Sequence, residues 1–250
     1  MSSRGAPPIR RAEAAALLGP AAKRLAALAP LSPEETELLS GLDAQVETHP
    51  TGHEVVSPDM RSSHAMLIVE GWACRLRVLP DGRRQIFGFL IPGDSIGLCR
   101  DAGPLALAST VAVTRLAMVR ATALRTAAIE AAERYPGLAL ALRRAEHQDE
   151  ARLLDHITRL GRQSAYERVA HLLLELHGRM TTAGLARGSS FPMPLTQEVL
   201  ADALGLSIVH VNRVLQQLRR ERLLEMRAGK ANLLQLELLA EIADFPAVRA

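Results

Sequence analysis

The chain has 250 residues, enough for two domains with separate cores, and a formal net charge of +3. That small surplus is compatible with nucleic acid without selecting it, and only two cysteines, Cys74 and Cys99, exclude a disulfide scaffold. No apolar run reaches membrane-spanning length and the N-terminus lacks a signal-peptide pattern, so a cytoplasmic protein with no membrane partner is expected.

In chain order, residues 1–30 read as an arm. Met1–Arg11 is rich in Ser, Gly, Pro and Arg and is expected to be disordered. Two Ala-rich helical stretches, Ala12–Leu18 and Ala21–Leu28, are expected to be interrupted by Gly19-Pro20. Ser32-Pro33-Glu34-Glu35 then offers an N-cap, a proline at the first helical position and two first-turn acids.

From about Val46 to Val119 short alternating runs predict strands at His53–Ser57, Ala65–Val69, Ala73–Leu79, Arg84–Leu90 and Ala108–Val119. Leu79-Pro80-Asp81-Gly82 is a hairpin turn, because proline fixes φ and glycine supplies its positive value. These features predict an antiparallel β-roll of jelly-roll type over 31–134. Helical texture returns at Thr122–Glu133 and in a long helix from about Leu138 to Leu160, within a segment bounded at 135–163. There Ala139, Leu142, Leu153 and Leu160 fit a heptad seam for dimerisation, with Glu146, Asp149 and His156 in its polar slots. The alternative is that this helix covers its own barrel.

The remaining residues, 164–250, hold a helix at Ala165–Met180, a connector at Thr181–Pro194, and a helix-turn-helix from Leu195. Thr196 is the expected N-cap of its first helix, Gly205 the left-handed residue that ends it, and Ser207 the cap of the second. In the second helix Val211, Val214, Leu215 and Leu218 fall on one side, toward a core. The other side carries Val209, Arg213, Gln216 and Arg220, flanked by Asn212 and Gln217, with no acid between Ile208 and Arg220. Arg, Asn and Gln are the side chains that bond base edges bidentately. From Ile208 to Ala231 six basic residues (Arg213, Arg219, Arg220, Arg222, Arg227, Lys230) face two acids, Glu221 and Glu225, an excess suited to phosphates. Two short strands around Ala228-Gly229-Lys230 complete a winged DNA reader, with Thr196, Ser207, His210 and Lys230 added to its candidate DNA-binding residues. Double-stranded DNA is the expected partner.

EGWACRLRVLPDGRRQIFGFLIPGDSIGL, SAYERVAHLLLEL and LTQEVLADALGLSIVHVNRVLQQLRRERLL, in the order roll, long helix, winged helix-turn-helix, resemble the Crp/Fnr family of bacterial transcription regulators. The resemblance covers nearly all of the chain after Leu25. It implies an α+β architecture with a cyclic-nucleotide-binding-like roll. It also implies a homodimer on a two-fold symmetric operator and an effect on RNA polymerase recruitment.

The departures bear on mechanism. Gly93, Asp94, Gly97 and Leu98 mark the candidate effector pocket, but Leu98 stands where cyclic-nucleotide members carry Glu, and Gly103–Ala108 has no Arg. A phosphate buried beside leucine and alanine would lack its counter-charge. No cofactor is predicted, cyclic nucleotide is not expected, and the effector is open. Two cysteines do not supply an iron–sulfur ligand set, and the histidines show no metal-ligand spacing, so no metal is expected. Arg213 matches the family's guanine-reading arginine, whereas Val209 replaces a base-contacting Glu and Asn212 a small residue. A cupin-like β-barrel enzyme or a protein-interaction module with a helical tail is the alternative; neither the enzyme's His–carboxylate set nor a nucleophile–base pair is evident, so no enzyme is expected.

Overall fold

The computed structural model describes residues 11–42, 45–61, 64–99 and 105–245; statements of absence below refer to these. Expectations for residues 1–10 and for Gly103-Pro104 lie outside them. The chain divides into two compact units, one formed by residues 1–75 and 89–150, the other by 76–88 and 151–250.

The first unit begins with helix α1, Arg11–Leu28, which runs unbroken through Pro20 where the sequence predicts an interruption. An interior proline costs about 3 kcal/mol through its missing N–H and ring clash. Burial of Leu18, Ala21, Leu25 and Leu28 against the roll offsets it. Helix α2, Pro33–Ser40, has the expected N-cap at Ser32, and Glu35 completes it as a capping box. Glu35 is buried and also accepts the Leu138 N–H at 2.9 Å, so one carboxylate caps two helices. Burial pushes the Glu35 pKa up, but hydrogen bonds from Ser32, Leu138 and Gly137 more than offset this and leave it lowered.

Two antiparallel four-stranded sheets make the roll. They use β1 (Val46–His49), β2 (Glu54–Val56), β3 (Met66–Glu70), β4 (Ala73–Val78), β5 (Arg84–Leu90), β6 (Ser95–Ile96), β7 (Ser109–Ala112) and β8 (Leu116–Arg120), ordered β1-β8-β3-β6 and β2-β7-β4-β5. The expected strand Ala108–Val119 is thus two strands. Ile68, Ala73, Leu90, Ile96, Ala112, Leu116 and Met118 form the apolar core of the roll interior. Helix α3, Thr122–Arg125, passes into a π-helical turn over Thr126–Glu130, shorter than the helix expected there.

Helix α4, Pro136–Arg162, crosses the boundary between the units. In the second unit α5 (Ala165–Thr182) starts at a Ser164–Glu167 capping box. Strand β9 (Ser190–Pro192) lies in the stretch read as connector, followed by α6 (Gln197–Leu204), α7 (Ile208–Arg220), β10 (Leu224–Arg227), β11 (Lys230–Leu233) and α8 (Leu236–Ala243). The wing is therefore a three-stranded sheet, β10-β11-β9. Ala228 and Gly229 both take positive φ, 50° and 71°, as a two-residue hairpin with right-handed twist requires.

Candidate nucleic-acid interface and dimer face

Helix α6 is capped by the Thr196 hydroxyl, which accepts the Val199 N–H at 3.2 Å, and stops at Gly205 in the left-handed region (φ 62°, ψ 38°). Ser207 then caps α7 by accepting the His210 N–H at 3.2 Å. Arg168 of α5 donates to the Leu204 carbonyl at 3.0 Å, occupying an acceptor that the end of α6 leaves open. Gly205, the Ser207 cap and the Arg168 bond fix the angle at which α7 leaves the turn.

The face of α7 expected to be buried is buried: Val211, Val214, Leu215 and Leu218 pack inward. Outward lie Val209, 70 % exposed, with His210, Arg213, Gln216 and Arg220. Gln197, Ile208, Val209, Asn212, Arg213 and Gln216 line a recess of about 360 Å³. Lys230 is exposed at the start of β11, beside the wing turn.

Besides the capping hydroxyls of Thr196 and Ser207, two more of the expected DNA-binding residues have bonds within the chain. Gln217 is half-buried and donates to Glu221 at 2.9 Å, and the Tyr166 hydroxyl donates to the same carboxylate. Hydrogen bonds from Tyr166 and Gln217 hold the Glu221 carboxyl below its ordinary pKa, so the acid at the end of α7 is occupied by donors. Asn212 donates to Gln197 at 3.0 Å. The sequence does not single out Gln197, because its partnership with Asn212 forms only across the turn.

On α4 the residues of the expected heptad seam take different places. Ala139 and Leu142 are buried in their own chain, Leu142 against α1 and the roll, and His156 is buried toward α5. Asp149 is half-buried and pairs with Arg24 at 3.7 Å and Arg75 at 4.0 Å. Leu160 is half-buried, and its side chain lies 3.3 Å from where a Cβ on Gly205 would stand. Of the four apolar residues expected in the seam only Leu153 is exposed, at 49 %; Glu146 of its polar slots is exposed too, and Leu154 at 59 % and Ile157 at 66 % lie outward beside Leu153. The outward stripe runs Arg143, His147, Glu150, Leu154, Ile157, Gly161, which is the expected heptad shifted by one residue.

The side of α4 facing α5 carries a buried charged group. Arg159 donates to Glu175 at 2.9 Å, and Arg179 pairs with Glu175 at 3.5 Å. Burial, then the Arg159 charge, lower the His156 pKa to about 4 from 6.5, although Glu175 acts the other way. The unfolded chain therefore takes up the proton first. The stability gained by keeping His156 neutral is full above about pH 6.5 and is lost as pH falls toward 4. The shift corresponds to about 3 kcal/mol. Burial and then Arg159 lower the His171 pKa too, adding in the same direction. Urea unfolding at several pH values should give a stability that drops steeply between pH 6.5 and 4, and His156→Phe should flatten much of that drop.

At the candidate effector pocket Asp94 is buried. Arg24 of α1 pairs with it at 2.9 Å, and its Oδ2 accepts the Ile91 N–H at 2.7 Å. Arg24 also donates to the Gly93 carbonyl at 3.2 Å. A Cβ on Gly93, where φ is 97°, would meet the Pro20 carbonyl oxygen at 3.0 Å, so glycine permits this close approach of α1. Gly97 also has positive φ, and Leu98 is packed in the apolar core with α1. Gly93, Asp94 and Leu98 thus join helix and roll. Among the described residues no three His, Cys, Asp or Glu side chains are placed to hold a metal ion, and His49 and His53 instead stack ring on ring at 4.8 Å.

A capped helix-turn-helix with an acid-free outer face, followed by a β-wing, defines a DNA-binding transcription regulator. The chain belongs to the Crp/Fnr family. Residues 167–242 match the Crp-like helix-turn-helix domain. The chain is 30 % identical to the nitrogen fixation regulation protein FixK of Azorhizobium caulinodans, over 73 % of this chain and 72 % of that protein. It is 31 % identical to the transcriptional activatory protein AadR of Rhodopseudomonas palustris, over 82 % and 83 %. The solved structure of FixK2 from Bradyrhizobium japonicum superimposes with a TM-score of 0.66 at 28 % identity, covering 79 % of this chain and 96 % of that one. No helix among the described residues is long and apolar enough to cross a membrane.

Proposed function

We propose that the chain works as a homodimer that places two copies of α7 in successive major grooves of a two-fold symmetric operator, and that it acts on transcription through RNA polymerase. The observation that carries this reading is the outer face of α7, where Arg213, Asn212 and Val209 stand around an open recess beside a basic wing. Arg213 reads guanine, while Arg220 and Lys230 meet phosphates. The exposed Leu153, Leu154 and Ile157 supply the apolar part of the dimer seam. A relative named as a transcriptional activatory protein supports activation as the sign of control.

Selection from a random duplex library with the purified chain tests this directly. The expected product is an inverted repeat with half-sites about 10 base pairs apart, centre to centre. A single non-repeated site would contradict the dimeric reading, and no enrichment would contradict the reading of α7.

The signal at the roll is proposed to be something other than a cyclic nucleotide. The buried carboxylate of Asp94 already faces Arg24, and Leu98 is part of the apolar core, so an incoming phosphate would meet a like charge and hydrocarbon. Cyclic AMP or cyclic GMP at millimolar concentration is expected to leave both the melting temperature and operator affinity unchanged. A ligand specific to the native state would raise the melting temperature by mass action, and a saturable rise would contradict this reading.

A further inference from the structure

Gln197 stands at the first position of α6 and Asn212 in the second turn of α7, so two side chains fifteen positions apart in sequence meet across the turn. Both are half-buried, and both line the recess on the reading face. The bond between them runs from the Asn212 amide nitrogen to the Gln197 carbonyl oxygen, at 3.0 Å.

A carboxamide has two inequivalent N–H groups, one beside its own oxygen and one pointing away from it. Bidentate recognition of adenine uses the oxygen together with the N–H beside it, accepting from N6 and donating to N7. One N–H is then left over. A free asparagine would choose among rotamers and amide orientations, and ordering it on binding costs part of what the base-edge bonds yield. A carbonyl that accepts the left-over N–H removes that freedom before DNA arrives.

From this geometry we infer that Gln197 is a specificity-determining residue, which orients the Asn212 amide so that it selects adenine in one A·T pair of each half-site. Val209, exposed on the same recess, is placed to meet the methyl group of a thymine in that pair or its neighbour. Gln197 acts through Asn212 and makes no base contact of its own. The inference rests on α7 being the groove-reading helix. Its own failure is recognisable because it concerns one base pair, whereas failure of that reading would abolish discrimination at all of them.

The test uses the full-length chain and the operator recovered by selection, with each base pair of a half-site varied in turn. Asn212→Ala should reduce the preference for adenine at one position on the order of tenfold, and Gln197→Met should reduce preference at that same position by about fivefold. The double variant should show no further loss there, since both changes remove the same recognition. Gln197→Glu keeps the acceptor and should restore the preference at that position, whatever its added charge does to total affinity. Preferences at the other positions, the salt dependence and the melting temperature should stay as in the parent. The inference is overturned if Gln197→Met keeps the parent's preference at the Asn212 position, if it flattens every position alike, or if Gln197→Glu fails to restore that preference.

Discussion

Ile157→Glu should convert the protein to monomers in light scattering and weaken operator binding by about two to four orders of magnitude, the usual gain from joining two binding modules. Ile157 is the most exposed of the three large apolar side chains that α4 turns to solvent, and in a paired helix it would sit against its own copy across the two-fold axis. Glutamate there brings two carboxylates together in an apolar seam, and each burial without a partner costs several kcal/mol. Leu154→Glu should act in the same way. Leu142→Ala should not, because Leu142 packs into its own chain's core. That change should cost about 2–5 kcal/mol of stability while leaving the dimer intact. If Leu142→Ala dissociated the dimer and Ile157→Glu did not, the seam would lie on the other side of the helix.

The seam also marks a limit of what the sequence conveys. Helix α4 has apolar side chains on more than one side, and a heptad drawn through Ala139, Leu142, Leu153 and Leu160 links positions with different neighbours. The first turns give Leu138, Ala141, Leu142 and Ala145 to the roll core, and the last give His156 and Arg159 to α5. What remains outward is one residue out of phase, and only the partners of each turn reveal it. Gly19-Pro20 misleads for a similar reason, since local propensity favours a break and tertiary burial of Leu18 and Ala21 outweighs it. Strand β9 is three residues long and exists through its pairing with β11, which no local pattern announces.

The helix-turn-helix is legible almost residue by residue. Its signals are local and agree with one another: a cap at Thr196, a left-handed Gly205, a cap at Ser207, and a 3.6-residue period that turns Val211, Val214, Leu215 and Leu218 inward. The outer face of α7 follows by subtraction. The Gln197–Asn212 bond does not, because it depends on the angle between two helices.

Arg213→Ala carries the other large expected effect. Arg213 is exposed, lies on the outer face of α7 beside Asn212 and Gln216, and has the planar fork that bonds guanine O6 and N7. Its loss should cost about 1–3 kcal/mol in each half-site and relax preference at one base pair, while binding to unrelated duplexes falls by the smaller share of one positive charge. Arg220→Ala and Lys230→Ala should weaken all sequences alike and reduce the salt slope by about one unit for each phosphate that is no longer neutralised. The decisive measurement is titration of the parent and Arg213→Ala against operator and scrambled duplexes at several salt concentrations. Reading by α7 predicts that the parent separates the two duplexes and that Arg213→Ala loses much of this separation. If the variant discriminated as well as the parent, α7 would not be the reading element.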